Sequence, residues 1–344
     1  MRHTSRVVRL LLASVVGVLS IAAVVVAATR TDGDADEPVV GAASTDRWRA
    51  LEPSPLGRSE VAAARIGRHI YVAGGFEAPA GETTDATARY SMKRDRWKRL
   101  EPMPIAVNHP TATSYRGKLY VHGGFTSASG LSDPTAALQV YSPKRKRWAR
   151  LPDSPTPRAA HALGVIDGKI HAAAGANDSS AQLSSLEIYG VAARRWTTGP
   201  HLNIGRNHVG ATVEAGRLYV LGGRDGSGMD FNVSERYDPA RGGWETLAPL
   251  DTARSGFAAV DVSGKVVAFG GEELTPGGAT IEQVELYDPG SDTWTALPDM
   301  RTPRHGLGGA SKGRRVFSLE GGPEPGLAFS RSLEFLDVSK QLVP

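Results

Sequence analysis

The six tryptophans of this 344-residue chain fall at positions 48, 97, 148, 196, 244 and 294, so successive ones are 49, 51, 48, 48 and 50 residues apart. A period near fifty residues marks an array in which each repeat is one supersecondary unit that buries its apolar face against its neighbours. Other residue types keep the same phase. Twenty-six residues after each of the first five tryptophans stands a small pair: Gly74-Gly75, Gly123-Gly124, Ala174-Gly175, Gly222-Gly223 and Gly270-Gly271. In the sixth repeat the offset is twenty-seven, at Gly321-Gly322. A tyrosine precedes five of the tryptophans by seven residues, at Tyr90, Tyr141, Tyr189, Tyr237 and Tyr287. A lone glycine (Gly67, Gly117, Gly168, Gly216, Gly264, Gly313) precedes each pair by six to eight residues.

Each position has a physical reading. The lone glycine marks a tight hairpin turn. The apolar run that follows, such as Leu218-Tyr219-Val220-Leu221, is a buried strand. The small pair ends that strand where backbones approach too closely for side chains. The tyrosine lies on a third, half-buried strand, as in Val284-Glu285-Leu286-Tyr287, with alternating apolar and polar residues. A turn such as Asp288-Pro289 leads to an outermost strand, where the tryptophan ring covers the seam between units.

Double glycine, tyrosine, spacer and tryptophan together resemble the kelch repeat over residues 46–338. The resemblance implies an all-β fold of four-stranded antiparallel blades around a central channel, here a six-bladed propeller. Leu336 holds the last tyrosine position, and the matching tryptophan position is Val343. The stretch Asp46-Arg47-Trp48-Arg49-Ala50-Leu51 has no preceding tyrosine strand, so it is expected to serve as the outer strand of the last blade and close the ring. Repeat three is the weakest, with Ala174 for the first glycine and His171 for the usual tyrosine.

The chain divides into a leader (1–30), a flexible linker (31–45), the propeller (46–338) and a tail (339–344). The leader carries Arg2, Arg6 and Arg9 ahead of nineteen uncharged, mostly apolar residues, Leu10 to Ala28, and is expected to form one hydrophobic helix. A cleaved signal peptide has an apolar core of about 7–15 residues and a spanning helix needs about 20. The length favours an uncleaved signal anchor, although Val26-Ala27-Ala28 would also serve as a signal-peptide cleavage site. Either way the arginines stay in the cytoplasm and the propeller lies outside, tethered to the cell membrane or secreted. Removing the four leader arginines (Arg2, Arg6, Arg9, Arg30) from forty bases leaves thirty-six against thirty-six acids. The exported part is thus neutral, and the high isoelectric point does not argue for nucleic acid. The absence of cysteine excludes disulfides, thiolate metal sites and cysteine nucleophiles.

Ten residues after five of the tryptophans stands an arginine: Arg58, Arg158, Arg206, Arg254 and Arg304. Histidines follow in four repeats, at His109, His161, His208 and His305. These positions precede the innermost strand of each blade and are expected to ring the channel mouth. Guanidinium matches carboxylate and phosphate geometry, so the expected site takes an acidic small molecule or peptide. The resemblance supports such a site, because arginines in this region of some kelch domains bind acidic peptides. The opposing interpretation is that each arginine pairs with an acid in the fold. Glu272-Glu273 and Glu320 are acid–base candidates if they reach the channel. Asp225-Gly226-Ser227-Gly228-Met229-Asp230 reads as a turn, and no metal or cofactor is expected.

Regular repeats without an inserted domain favour a non-catalytic binding or interaction module whose partner is a protein or an acidic ligand. The alternative follows from the resemblance: some six-bladed exported bacterial kelch proteins epimerise sialic acid at its anomeric carbon. Here Arg206 and Arg158 would hold the sugar carboxylate and His208 would relay the proton.

Overall fold

The computed structural model describes residues 47–177, 182–275 and 277–342. The leader, the linker and Val343 lie outside these residues. No helix of the described residues is long and apolar enough to cross a membrane.

Six four-stranded antiparallel sheets form the propeller, each running from an inner to an outer strand. Blade 1 comprises Ala62–Ile66, His69–Ala73, Thr87–Ser91 and Arg96–Arg99. Blades 2 to 5 repeat the order and begin at the inner strands Thr111–Tyr115, Ala162–Ile166, Gly210–Glu214 and Ala258–Val262. Blade 6 takes Gly308–Lys312, Arg315–Leu319 and Leu333–Asp337 from the C-terminal repeat and Arg49–Ala50 from the start of the propeller. Arg49 stands opposite Phe335 and Ala50 opposite Glu334, the expected closure. Each inner strand contacts the next, and that of blade 6 contacts that of blade 1. A small three-stranded sheet, Arg58–Ser59 with Phe76–Glu77 and Glu82–Thr83, caps blade 1.

The second strands form the core. In blade 4, Leu218, Tyr219, Val220 and Leu221 are all at most 1 % exposed. The tyrosine and tryptophan of a repeat stack with centroids 5.0–5.4 Å apart in the five blades that have both. Every indole N–H then donates to a carbonyl in the loop that leaves the preceding blade. Trp97 donates to Glu52 O at 2.7 Å, Trp148 to Glu101 O at 2.9 Å and Trp196 to Pro152 O at 2.9 Å. Trp244 and Trp294 reach Pro200 and Ala248 in the same way, both at 2.9 Å. Trp48 completes the circle by donating to Pro298 O at 3.1 Å. The fifty-residue period is therefore the spacing of one inter-blade hydrogen bond.

The small pair has a matching role. The N–H of its second residue donates to the carbonyl ten residues after the next tryptophan, as Gly124 does to Arg158 at 2.9 Å and Gly223 to Arg254 at 2.8 Å. A Cβ on Gly75 would stand 2.4 Å from the Ser59 carbonyl oxygen. The sixth repeat corrects the sequence alignment. Gly321 donates to Arg58 O at 2.8 Å, so it is the second member and Glu320 is the first. Glu320 holds φ 55°, comparable with Gly74 at 69° and Ala174 at 61°. The offset is twenty-six in all six blades, and repeat three, for all its departures, forms a complete blade.

Candidate functional site

Twelve residues after each tryptophan come Glu60, His109, Ala160, His208, Gly256 and Gly306, all with φ between 50° and 63°. Their peptide groups bond round the axis. His109 N donates to Glu60 O at 3.1 Å, Ala160 N to His109 O at 2.9 Å, and His208 N to Ala160 O at 2.8 Å. Gly256 N follows to His208 O at 2.9 Å and Gly306 N to Gly256 O at 2.7 Å. Val61 N closes the ring on Gly306 O at 3.3 Å. This collar constricts the channel to a cavity of about 90 Å³ lined by Glu60, His109, His161, His208 and Phe257 among others.

Side chains from the collar meet the residue after each small pair, which includes Arg224 in blade 4 and Glu272 in blade 5. Glu60 accepts from His305 Nδ1 at 3.1 Å, and its other carboxylate oxygen stands 3.1 Å from His109 Nε2. His305 Nδ1 also lies 3.5 Å from Glu272 Oε2. Arg224 pairs with Glu272 Oε1 at 3.0 Å and donates to His208 Nε2 at 2.8 Å. The preceding asparagines fix two of the imidazoles. Asn108 Oδ1 accepts from His109 Nδ1 at 2.7 Å, and Asn207 Oδ1 makes the same bond with His208 Nδ1. The rings of His109 and His208 meet edge to face, 4.8 Å apart.

Burial and charge set the protonation states. Burial pushes Glu60 up, but His109, His305 and Arg224 outweigh it and hold the carboxyl at about 2. Burial lowers His109 to about 4 against the pull of Glu60, and burial with the Arg224 charge drives His208 well below its ordinary value. His305 is raised: its burial is outweighed by the hydrogen bond to Glu60 and the charges of Glu60 and Glu272. Glu60 and Glu272 thus face Arg224 and the raised His305, and acids and bases are matched within the cluster.

Glu60, His109 and His208, or Glu60, Glu272 and His305, bring three possible metal-ligating atoms within 4.8 Å of one another. Arg224 already occupies the cation's place: it donates to the His208 Nε2 lone pair and neutralises Glu272.

The other sequence candidates are divided by the fold. The five arginines do not line the mouth. Arg58, Arg158, Arg206, Arg254 and Arg304 are fully buried within the blades. Each is paired with a glutamate: Arg158 with Glu187 at 3.1 Å, Arg206 with Glu235, Arg254 with Glu285 at 2.5 Å and Arg304 with Glu334 at 3.3 Å. Blade 1 has Ala88 at the glutamate position, and Glu320 of blade 6 supplies the carboxylate for Arg58 at 2.8 Å. The guanidinium groups also bind strand-end carbonyls, as Arg254 does to Gly270 O and Gln283 O.

Of the histidines, His109, His208 and His305 meet at the axis. His161 points away from the axis, into the seam between blades 2 and 3, with Nε2 2.7 Å from Thr111 Oγ1 and 2.9 Å from His122 Nδ1. Glu272 reaches the cluster, Glu320 is spent on Arg58, and Glu273 is exposed. Asp225 Oδ1 accepts from Ser227 N at 2.8 Å and Met229 N at 3.1 Å, which makes that segment a turn. Sequence reasoning missed Glu60 and Arg224. The signal was their register, twelve and twenty-eight residues after a tryptophan.

A family description, the KLHDC2/KLHL20/DRC7 Kelch-repeats domain, matches residues 27–202, just over half of the chain. The Kelch motif matches again at 205–250 and 253–301. The chain belongs to the kelch-repeat family. Among solved structures, the one titled "Structure of YjhT" is similar in fold with a TM-score of 0.72 and 15 % identity, covering 82 % of this chain and 95 % of that one. No curated protein matches the kelch chain described here.

Proposed function

We propose that this kelch propeller is an extracytoplasmic binding module that engages a protein partner through the loops at one end. The carrying observation is the placement of its exposed apolar side chains. Leu131, Ile204, Met229, Leu274 and Leu327 are the exposed large hydrophobics of the described residues. Four sit on loops between the second and third strands, and Ile204 is on the loop entering blade 4. Both loop types lie at the same end of the propeller, around the collar. Met229 and Leu274 flank a cleft of about 440 Å³ between blades 4 and 5. Apolar groups gathered at one end and rimmed by polar ones mark an interaction surface.

The arginines supported an acidic ligand here, and that support falls away because glutamates neutralise them within the blades. The exposed charges of these loops are largely acidic, including Glu82, Asp85, Glu101, Asp133, Glu273 and Glu324. A partner segment with apolar and basic side chains fits that rim. The epimerase alternative has less support: Arg158 and Arg206, which would hold the sugar carboxylate, are buried and paired with Glu187 and Glu235.

A photo-crosslinking residue at Leu327 should trap the partner, and one at Gly264, on the opposite end, should not. Adducts from Gly264 alone would defeat this assignment. Acceleration of sialic acid mutarotation above buffer would establish the enzyme instead.

A further inference from the structure

The exported part is neutral in sum, but unpaired bases crowd one sector of its far end, while the acids Glu214, Asp238, Asp261 and Asp288 at that end belong to blades 4 and 5. Opposite the collar, where first strands turn into second and third into fourth, blade 2 exposes Arg116, Lys118, Lys144, Arg145, Lys146 and Arg147 with no acid among them. Next to it, a cleft of about 780 Å³ opens between blades 6 and 1. Its lining carries Arg68, Lys93, Lys312, Arg314 and Arg315 against the single acid Asp337, with Met92 and Phe317 behind. Asp337 is taken by Arg315 at 3.7 Å. Among the described residues, none of the other ten bases forms an ion pair with an acid. Ten like charges held on neighbouring hairpins repel one another and are stabilised by an anionic surface.

The course of the chain gives this surface a place. Arg49 pairs with Phe335 and Ala50 with Glu334, so the closing strand runs from the Asp337 level towards the collar. The chain therefore enters the propeller at Arg47, at the basic end and beside the cleft. Only eighteen residues, 29–46, separate it from the apolar run Leu10 to Ala28.

We propose that the basic end of blades 6, 1 and 2 lies against a bilayer of anionic phospholipid, and that the cleft between blades 6 and 1 receives a phosphate-bearing headgroup. The proposal rests on the extracytoplasmic, tethered reading. It completes that reading by turning the collar loops away from the membrane, towards the partner. Lysine and arginine supply the point charges and fork geometry that phosphate oxygens accept. Polybasic surfaces of this kind bind anionic bilayers with an attraction that salt screens within about 8 Å at physiological strength.

The chain contains no cysteine, so one introduced thiol reports one place. The full chain is reconstituted in nanodiscs of phosphatidylcholine alone or with phosphatidylglycerol, carrying Ser339→Cys in the cleft or Thr275→Cys at the collar end. A water-soluble maleimide should label Ser339→Cys several-fold more slowly in the anionic discs only. Added salt should abolish the protection, as should the triple change Lys93→Gln, Lys312→Gln, Arg314→Gln, and Thr275→Cys should react alike in both discs. Equal rates at Ser339→Cys in both lipids overturn the proposal. So does protection in neutral discs by inorganic phosphate or a soluble polyanion without protection by anionic lipid, which would make the cleft a site for a soluble anion. Failure of the chain to co-float with neutral vesicles would instead defeat the tether. In that case co-flotation with anionic vesicles, and its loss in the triple variant, still decides the surface.

Discussion

The buried histidines give the protein a defined response to acid. Burial is the first cause in each case, and it holds His109 at about 4, His122 at about 3, and His161 and His208 well below the ordinary 6.5. The unfolded chain binds protons at these sites as pH falls through 6.5, and the folded chain does not until the lower values are reached. Stability is therefore complete above 6.5 and is lost on acidification, at up to about 1.4 kcal/mol per pH unit for each such site. His305 has the opposite sign. Its raised value adds stability below 6.5 that is lost as pH rises through the folded value, so it offsets part of this loss, to which His171, lowered by burial to about 4, also contributes. Glu60, held at about 2, adds stability that is complete above the ordinary carboxylate range and is lost progressively as pH falls from 4.5 to about 2, below this window. Urea midpoints should fall steeply between pH 7 and pH 5, and a flat profile would contradict the buried neutral histidines. The Glu60 carboxylate also sustains His305, so Glu60→Gln should lower the His305 titration midpoint, read by NMR. An unmoved midpoint would show that Glu272 suffices.

At the scale of the blade, the arginine expected at the ligand site is half of an internal pair, and the chain displays the rule by its exception. Blade 2 lacks the arginine, having Val107, and it also lacks the glutamate, having Gln139, whose amide oxygen accepts from Ile105 N at 2.9 Å. Charge is present at both places or at neither, except where Glu320 reaches Arg58 from the preceding blade. The pairing was legible as a glutamate two residues before the tyrosine position, but only once both positions are aligned across blades. A basic stripe by itself reads as a ligand site. Removing one partner leaves an uncompensated buried charge, and Arg206→Ala should cost about 3–5 kcal/mol in chemical denaturation. The double change Arg206→Val with Glu235→Gln transplants the blade 2 solution into blade 4. It should recover most of that loss, and a double variant no more stable than Arg206→Ala would show that the charge itself is required.

For the whole molecule, the tryptophan period made the architecture readable because one repeated bond, indole N–H to the preceding blade's carbonyl, fixes the spacing of everything else. The collar was less legible. Glu60, His109 and His208 share a register, yet His305 and His161 sit one residue to either side of it and so point to different places. The crowding of bases on blades 6, 1 and 2 was hidden because a sum of charges carries no direction. Closure was readable from the unpaired ends and depends on little: a two-residue strand, and Trp48, which is buried against Phe269 at 5.7 Å and bonded to Pro298 O at 3.1 Å. Trp48→Ala should lose about 3–5 kcal/mol through the cavity it leaves. It should also release Arg49–Ala50 and expose the edge of Leu333–Asp337 for pairing with another chain. Trp196→Ala removes the same ring and bond in blade 3, where chain continuity keeps the outer strand in place. Both variants should melt earlier, but only Trp48→Ala should form dimers and larger species in size-exclusion chromatography. If the two elute alike, the ring is held shut by its inner strands, and the N-terminal strand merely covers an edge that is stable without it.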